Sequence, residues 1–217
     1  ITYHDSIIKM AKTGKTLIVA TGASKISEVD DLIKKIIPIN KKLILMQCNT
    51  NYTGSVDNFK YIQLNVLKLY SKLFPEVILG LSDHTPGHST VLGSIALGAK
   101  VIEKHFTDNN NLDGPDHKFS MNPKDWRYMV ERARELEEAL GSENKKIEEN
   151  EKETVIIQRR GIRAKNRILE GEIIKEDDLT FLRPCSEDCL PPYQKDLVIG
   201  KKAKLTIEKD QAVNTLN

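Results

Sequence analysis

Val77-Ile78-Leu79-Gly80-Leu81-Ser82-Asp83-His84-Thr85 and Lys100-Val101-Ile102-Glu103-Lys104-His105-Phe106-Thr107 are two apolar runs, each ending in a polar cluster that holds one histidine. Each reads as a buried strand. Side chains alternate across a strand, so Ser82 and His84 share one side, and Glu103 and His105 share one side of the next strand. If both strands belong to one parallel barrel, two imidazoles and a carboxylate converge at its C-terminal mouth, where such barrels carry their chemistry. A single histidine at a strand end is more often a hydrogen-bonded structural residue than a ligand. Two of them, on sequential strands and with the same in-facing parity, make a ligand pair worth testing.

Working upstream, Lys15–Gly22 and Lys42–Cys48 read as two more strands, ending in Thr21-Gly22-Ala23-Ser24 and in the polar loop Asn49–Ser55. Ser27 with Asp30 opens a helix in the manner of a capping box, with Val29, Leu32, Ile33 and Ile36 on its buried stripe. A second helix runs from about Asn58, with Ile62, Val66, Leu67, Tyr70 and Phe74 at helical spacing, and Pro75 stops it. A short helix, Ser89–Leu97, separates the two histidine strands. Strand starts near 16, 43, 77 and 100 give the strand–helix repeat of a parallel α/β sheet. A doubly wound sheet would carry a Gly-rich phosphate turn after its first strand, and Thr21-Gly22-Ala23-Ser24 is too short for one. Every strand end is polar instead. That is the pattern of a barrel.

Downstream, the loop Thr107–Lys118 presents Asp116 and His117 after a Gly-Pro corner as candidate substrate contacts. Asn122 caps a helix with Pro123 at its first position, and Trp126, Met129, Val130, Ala133, Leu136 and Leu140 line one face before Gly141 ends it. Ser142–Glu153 is nearly all charged or polar and reads as a linker. Beyond it, Arg163–Ile174 aligns without gaps to Lys202–Val213, each half reading strand, acidic tight turn, strand. A small pseudo-symmetric β domain follows from that. The expected division is 1–141 for the partial barrel, 142–158 for the charged linker and 159–217 for the β domain.

Composition narrows the function classes. With 33 Lys+Arg against 31 Asp+Glu, the net charge is +2, so no global field recruits nucleic acid or an acidic membrane. No apolar run approaches the ~20 residues needed to span a bilayer. Ile1-Thr2-Tyr3-His4-Asp5 has neither the basic nor the apolar region of a signal peptide, and without an initiating methionine the chain is expected to begin inside a larger protein. Three cysteines with no paired metal spacing point to a reduced, cytoplasmic protein. At Cys185 and Cys189, incidental free thiols are the preferred reading over a zinc site or a disulfide.

Gly80-Leu81-Ser82-Asp83-His84-Thr85, Glu103-Lys104-His105-Phe106-Thr107-Asp108, Gly114-Pro115-Asp116 and Ser120-Met121-Asn122-Pro123 together resemble the bacterial sialic acid synthase family, in order and in spacing. Arg159-Arg160, Ile168-Leu169-Glu170-Gly171-Glu172 and Leu182-Arg183-Pro184 resemble the antifreeze-like SAF domain that closes those enzymes. The resemblance implies an α/β fold: the C-terminal half of a (β/α)8 TIM barrel, its fifth to eighth βα units, followed by a β-rich SAF domain. Half a barrel would leave two open sheet edges and an uncovered core. The implied activity is a transferase one, in which a nine-carbon α-keto acid sugar is made from phosphoenolpyruvate and an N-acylated, mannose-type amino sugar. The family's phosphoenolpyruvate-binding lysines lie in the half not represented here.

By the same resemblance, His84 and His105 hold a divalent metal, Mn2+ or Mg2+, which polarises the sugar aldehyde. Glu103 and Asp116 match sugar contacts, and Glu103 can also handle a proton. Ser82 matches a phosphoenolpyruvate contact and Tyr52 a loop tyrosine near the substrates, while Thr21 and Asn51 are taken as further substrate contacts at their strand ends. Arg183 matches an arginine that reaches the sugar's N-acyl group in the neighbouring subunit, which implies a homodimer with swapped SAF domains. The chain departs from the sialate branch at Ala20 and Thr50, and Gln47–Thr53 looks more like relatives that use a 2,4-diacylamino-6-deoxy sugar, as in legionaminate synthesis. Two other readings stand beside this one: another metal-dependent barrel aldolase or hydrolase, and a non-catalytic binding subunit carrying an SAF module.

Overall fold

In the computed structural model of the chain, which describes residues 1–186 and 188–217, four parallel strands form one sheet in the order β1-β2-β3-β4. They are β1 Leu17–Ala20, β2 Leu43–Cys48, β3 Ile78–Asp83 and β4 Val101–Lys104, joined by α2 (Ile26–Ile36), α3 (Val66–Leu73) and α4 (Ser89–Ala96). Helix α1 (His4–Ala11) precedes the sheet and α5 (Pro123–Leu140) follows it. One face takes Val19, Leu43, Leu45 and Leu79 into a core with Val29, Leu32, Ile33 and Ile36 of α2 and Leu67 and Tyr70 of α3.

The strand register arranges the opposite face in rows. Ile18, Ile44 and Ile78 form the first, Ala20, Met46, Gly80 and Val101 the second, and Cys48, Ser82 and Glu103 the third. Apolar side chains thus give way to polar ones toward the C-terminal ends of the strands. Ile18 and Ile78 on this face are half exposed, at 53% and 49%. Gly80 is required where it stands: a Cβ would lie 2.7 Å from the Val101 carbonyl oxygen and 3.0 Å from Met46 Cγ.

Several boundaries differ from expectation for local reasons. Helix α2 starts at Ile26, ahead of Ser27, because the Lys25 N–H donates to Glu28 Oε2 at 2.7 Å. Asp30, the expected box partner, instead pairs with Lys34 one turn on. The helix expected from Asn58 is a 3-10 segment, Val56–Tyr61, and α3 begins only at Val66. Gln63, with φ +52°, breaks the path between them. Strand β4 ends at Lys104, but the chain goes on to pair Phe106 with Met121, so the 120–121 segment covers the upper edge of the sheet. Asn122 caps α5 as expected, accepting from Asp125 N at 3.0 Å. Met129, Trp126, Ala133 and Leu136 of α5 pack with Val91, Ile95 and Met121, whereas Val130 and Leu140 are exposed.

The second compact unit is Ser142–Asn217. Part of the expected linker is helical: α6 spans Lys152–Gln158. Its Val155-Ile156-Ile157 run is apolar, and the Ile156 carbonyl accepts from Cys185 N at 3.0 Å. Strands β5 (Gly161–Ala164) and β6 (Leu179–Leu182) pair antiparallel over a core of Ile162, Ala164, Ile168, Ile174, Leu179, Val198, Ala203, Ile207 and Val213.

The internal repeat is visible in the backbone. Superimposing Arg163–Ile174 on Lys202–Val213 turns the observed bridge Arg163–Ala212 into Lys202–Ile173, which is also observed, and leaves Ile168–Ile207 paired with itself. The two turns match in detail. Gly171 and Asp210 both have positive φ (83° and 63°). Glu172 accepts from Leu169 N at 2.7 Å, and its counterpart Gln211 accepts from Glu208 N at 2.9 Å. A left-handed third residue and a side-chain acceptor at the fourth position build each turn.

Candidate active site

His84 follows the last residue of β3 and is buried, with Nδ1 2.9 Å from the carbonyl oxygen of Asn49. A carbonyl oxygen only accepts, so Nδ1 carries a proton, which in the neutral ring leaves the lone pair on Nε2. His105, just past β4, has Nδ1 3.3 Å from Asp116 Oδ2, and the carboxylate favours the same tautomer. The two ring centroids are 5.1 Å apart. Tyr52 lies 4.2 Å from the His84 ring and 5.8 Å from that of His105, and Phe119 lies 5.1 Å from His105 and 6.3 Å from His84. Two imidazoles with engaged Nδ1 atoms therefore sit in an aromatic frame.

Two loops build this frame. The Asn51 Oδ1 accepts from Thr53 N, Thr53 Oγ1 and Asn58 Nδ2 at 3.1, 2.7 and 3.2 Å, folding the Asn49–Ser55 loop on itself. Gly54, with φ +62°, meets Phe119 so closely that a Cβ there would stand 2.1 Å from the Phe119 Cβ. Glycine is what lets the loop after β2 close on the loop after β4. One row nearer the sheet, Ser82 Oγ donates to Glu103 Oε1 at 2.7 Å. Beside them, burial pushes the Cys48 thiol up, against a partly offsetting hydrogen bond with Ser82. Cys48 is thus a neutral thiol at pH 7.

His84, His105, Tyr52 and Asp116 come together, and Ser82 and Glu103 pair directly below. Thr21 does not join them: it is buried, its hydroxyl lies 3.0 Å from the Met46 carbonyl, and Tyr70 OH donates to it at 3.0 Å. Thr21 shares the parity of Val19, on the helix side of the sheet. Asn51 is exposed but its carbonyl oxygen is engaged inside its own loop. His117 is drawn away as well, with Nδ1 2.8 Å from Thr107 Oγ1. Arg183 lies in the second unit, exposed, just before the segment that Arg163 fixes through the Pro184 carbonyl at 2.7 Å. Cys185 and Cys189 are free thiols. Phe119 and the Asn49 carbonyl were not anticipated, since neither an aromatic in a polar loop nor a main-chain acceptor has a spacing signal.

The donor set bears on a metal. Among the described residues, no three His, Cys, Asp or Glu side chains cluster in a way that could hold an ion. Two imidazoles with free Nε2 lone pairs, each steadied through Nδ1, nonetheless suit a divalent ion whose remaining positions are taken by water or substrate oxygens. The arrangement fits an open, reactive centre better than a closed structural one.

The chain is thus a parallel α/β sheet with its polar groups gathered at the C-terminal strand ends, together with a small β module. Residues 1–145 match the NeuB family and residues 159–215 the SAF domain. The chain belongs to the NeuB family. It is 34% identical to the uncharacterized protein MJ1065 of Methanocaldococcus jannaschii over 98% of its own length and 62% of that protein's. It is 32% identical to the N,N'-diacetyllegionaminic acid synthase of Campylobacter jejuni, over 94% of this chain and 60% of that one. The crystal structure of the spore coat polysaccharide biosynthesis protein SpsE from Bacillus subtilis superimposes with a TM-score of 0.59 at 28% identity, covering 98% of this chain and 63% of that one. The chain thus spans about three-fifths of the length of the relatives it matches. No helix among the described residues is long and apolar enough to cross a membrane.

Proposed function

We propose that the protein carrying this chain condenses phosphoenolpyruvate with an open-chain N-acylated amino sugar, giving a nine-carbon α-keto acid sugar and inorganic phosphate. The observation that carries this reading is the pair of Nδ1-anchored imidazoles of His84 and His105 above the Ser82–Glu103 hydrogen bond. The sugar-acid synthase among the relatives supports it. In this reading the four βα units are the fifth to eighth of a (β/α)8 barrel. The half-exposed Ile18 and Ile78 would then face the barrel interior.

His84 and His105 would hold Mn2+ or Mg2+, which when bound supplies Lewis acidity at the sugar aldehyde. Asp116 orients the His105 ring and, by its partial exposure, also faces the sugar. Tyr52 and Phe119 stand beside the imidazoles and would shape the space that the sugar enters. Ser82 contacts phosphoenolpyruvate, and Glu103, through its bond to Ser82, moves a proton. The bond from C3 of phosphoenolpyruvate to the aldehyde carbon forms, the aldehyde oxygen takes a proton, and water adds at C2. The C2–O bond to phosphate then breaks, leaving the ketone. Arg183 would clamp the N-acyl group in a neighbouring subunit's site, making the working assembly a homodimer, in the cytoplasm.

Isotope labelling tests this bond assignment. With 18O in the bridging position of phosphoenolpyruvate, the label is expected in released phosphate. Label retained in the organic product would overturn the proposed C–O cleavage.

A further inference from the structure

Each histidine of the pair follows a charged residue that faces the other side of the sheet. Asp83 and Lys104 are register partners across β3 and β4, and their side chains are 0% and 2% exposed. Lys104 Nζ donates to Asp83 Oδ2 at 2.6 Å and to the Thr85 carbonyl at 2.6 Å. The same carboxylate oxygen accepts from Thr90 Oγ1 of α4 at 2.6 Å, while Thr85 Oγ1 lies 2.9 Å from both carboxylate oxygens. The cluster therefore ties together the ends of β3 and β4, the first turn of α4 and the main chain one residue beyond His84. It touches neither imidazole.

We propose that Asp83 and Lys104 are positioning residues, which lock the C-terminal ends of β3 and β4 in register and so set the separation of His84 and His105. Stability alone does not account for charges here. Apolar side chains of similar size avoid the desolvation penalty of a buried ion pair and often leave a protein as stable or more so. Apolar contact is non-directional, however, whereas an ammonium shared between one carboxylate oxygen and one carbonyl has a single arrangement. A slip of one residue between the two strands would turn one imidazole to the face opposite the other, and a smaller slide would part them. The inference rests on the reading of His84 and His105 as metal ligands.

The test is Mn2+ affinity, measured from the EPR signal of free Mn2+ on the full protein, alongside its melting temperature. The double variant Asp83→Asn/Lys104→Met leaves no unpaired charge and keeps an acceptor for the threonine hydroxyls. It is expected to melt close to the parent yet bind Mn2+ about tenfold more weakly, the lower end of what losing a direct partner of a ligating histidine costs. Its Co2+ absorption spectrum should shift as well. Parent-like affinity and spectrum in the folded double variant would overturn the positioning role. If that variant does not fold, Thr90→Val, which removes one tie to the carboxylate, decides the question in the same way: weaker Mn2+ binding supports the role and parent-like binding overturns it. A parent protein that binds no Mn2+ would instead overturn the ligand reading, and this inference with it.

Discussion

Replacing His84 or His105 by alanine is expected to abolish metal-dependent turnover while leaving the sheet folded. Each imidazole lies beyond the end of its strand, so its loss opens no hole in the core between the sheet and α2 and α3. What disappears is one of the two imidazoles proposed to hold the ion. Lewis-acid activation contributes several kcal/mol to a transition state. Since each 1.4 kcal/mol is tenfold in rate, a loss of about a thousand-fold or more follows. Phosphate release and Mn2+ binding should fall together in each variant, with far-UV circular dichroism unchanged. Full activity in either variant would refute the ligand assignment.

Lys104→Met alone is expected to be strongly destabilising, in contrast to the paired substitution. It leaves the Asp83 carboxylate fully buried with only threonine hydroxyls and its own loop's N–H for company. Breaking a buried ion pair by removing one partner costs about 3–5 kcal/mol, against a total stability of about 5–15 kcal/mol for a typical domain. Urea unfolding should show a large fall in midpoint for Lys104→Met and partial or full recovery when Asp83→Asn is added. A loss below about 1 kcal/mol for the single variant would mean that water reaches the carboxylate, because that is the scale of exposed pairs.

The same alternation that made the histidine pair legible also explains one failure. Period two places Ser82 with His84 and Glu103 with His105, but it equally places Thr21 with Val19, on the helix side. A polar residue at a strand end suggested a mouth position there, and parity decided otherwise. The four strands were legible because each is a continuous apolar run ending at a polar turn. Their flanking helices were less so, since competing caps differ only in reach: Glu28 extends back to the Lys25 N–H, and Asp30 finds Lys34 instead. At Asn51 the sequence does not show that Oδ1 serves its own loop, because a loop asparagine bonds neighbouring groups as readily as a substrate. The contact of Gly54 with Phe119 joins loops far apart in the chain, and nothing local announces it. Asp83 and Lys104 lie one in each histidine motif, yet their pairing depends on the register between two strands, which appears only once the sheet is assembled. In the second unit the repeat was legible, because its turns must reuse the same left-handed residue and the same side-chain acceptor.

The decisive measurement of the proposed condensation is phosphate release from phosphoenolpyruvate with Mn2+, using the full protein that carries this chain. N-acetylmannosamine and the 2,4-diacetamido-trideoxy hexose are supplied in turn. Release is expected to depend on the sugar, with the diacetamido hexose preferred. No sugar-dependent release with either, from folded and Mn2+-loaded protein, would contradict it and point to a different barrel chemistry.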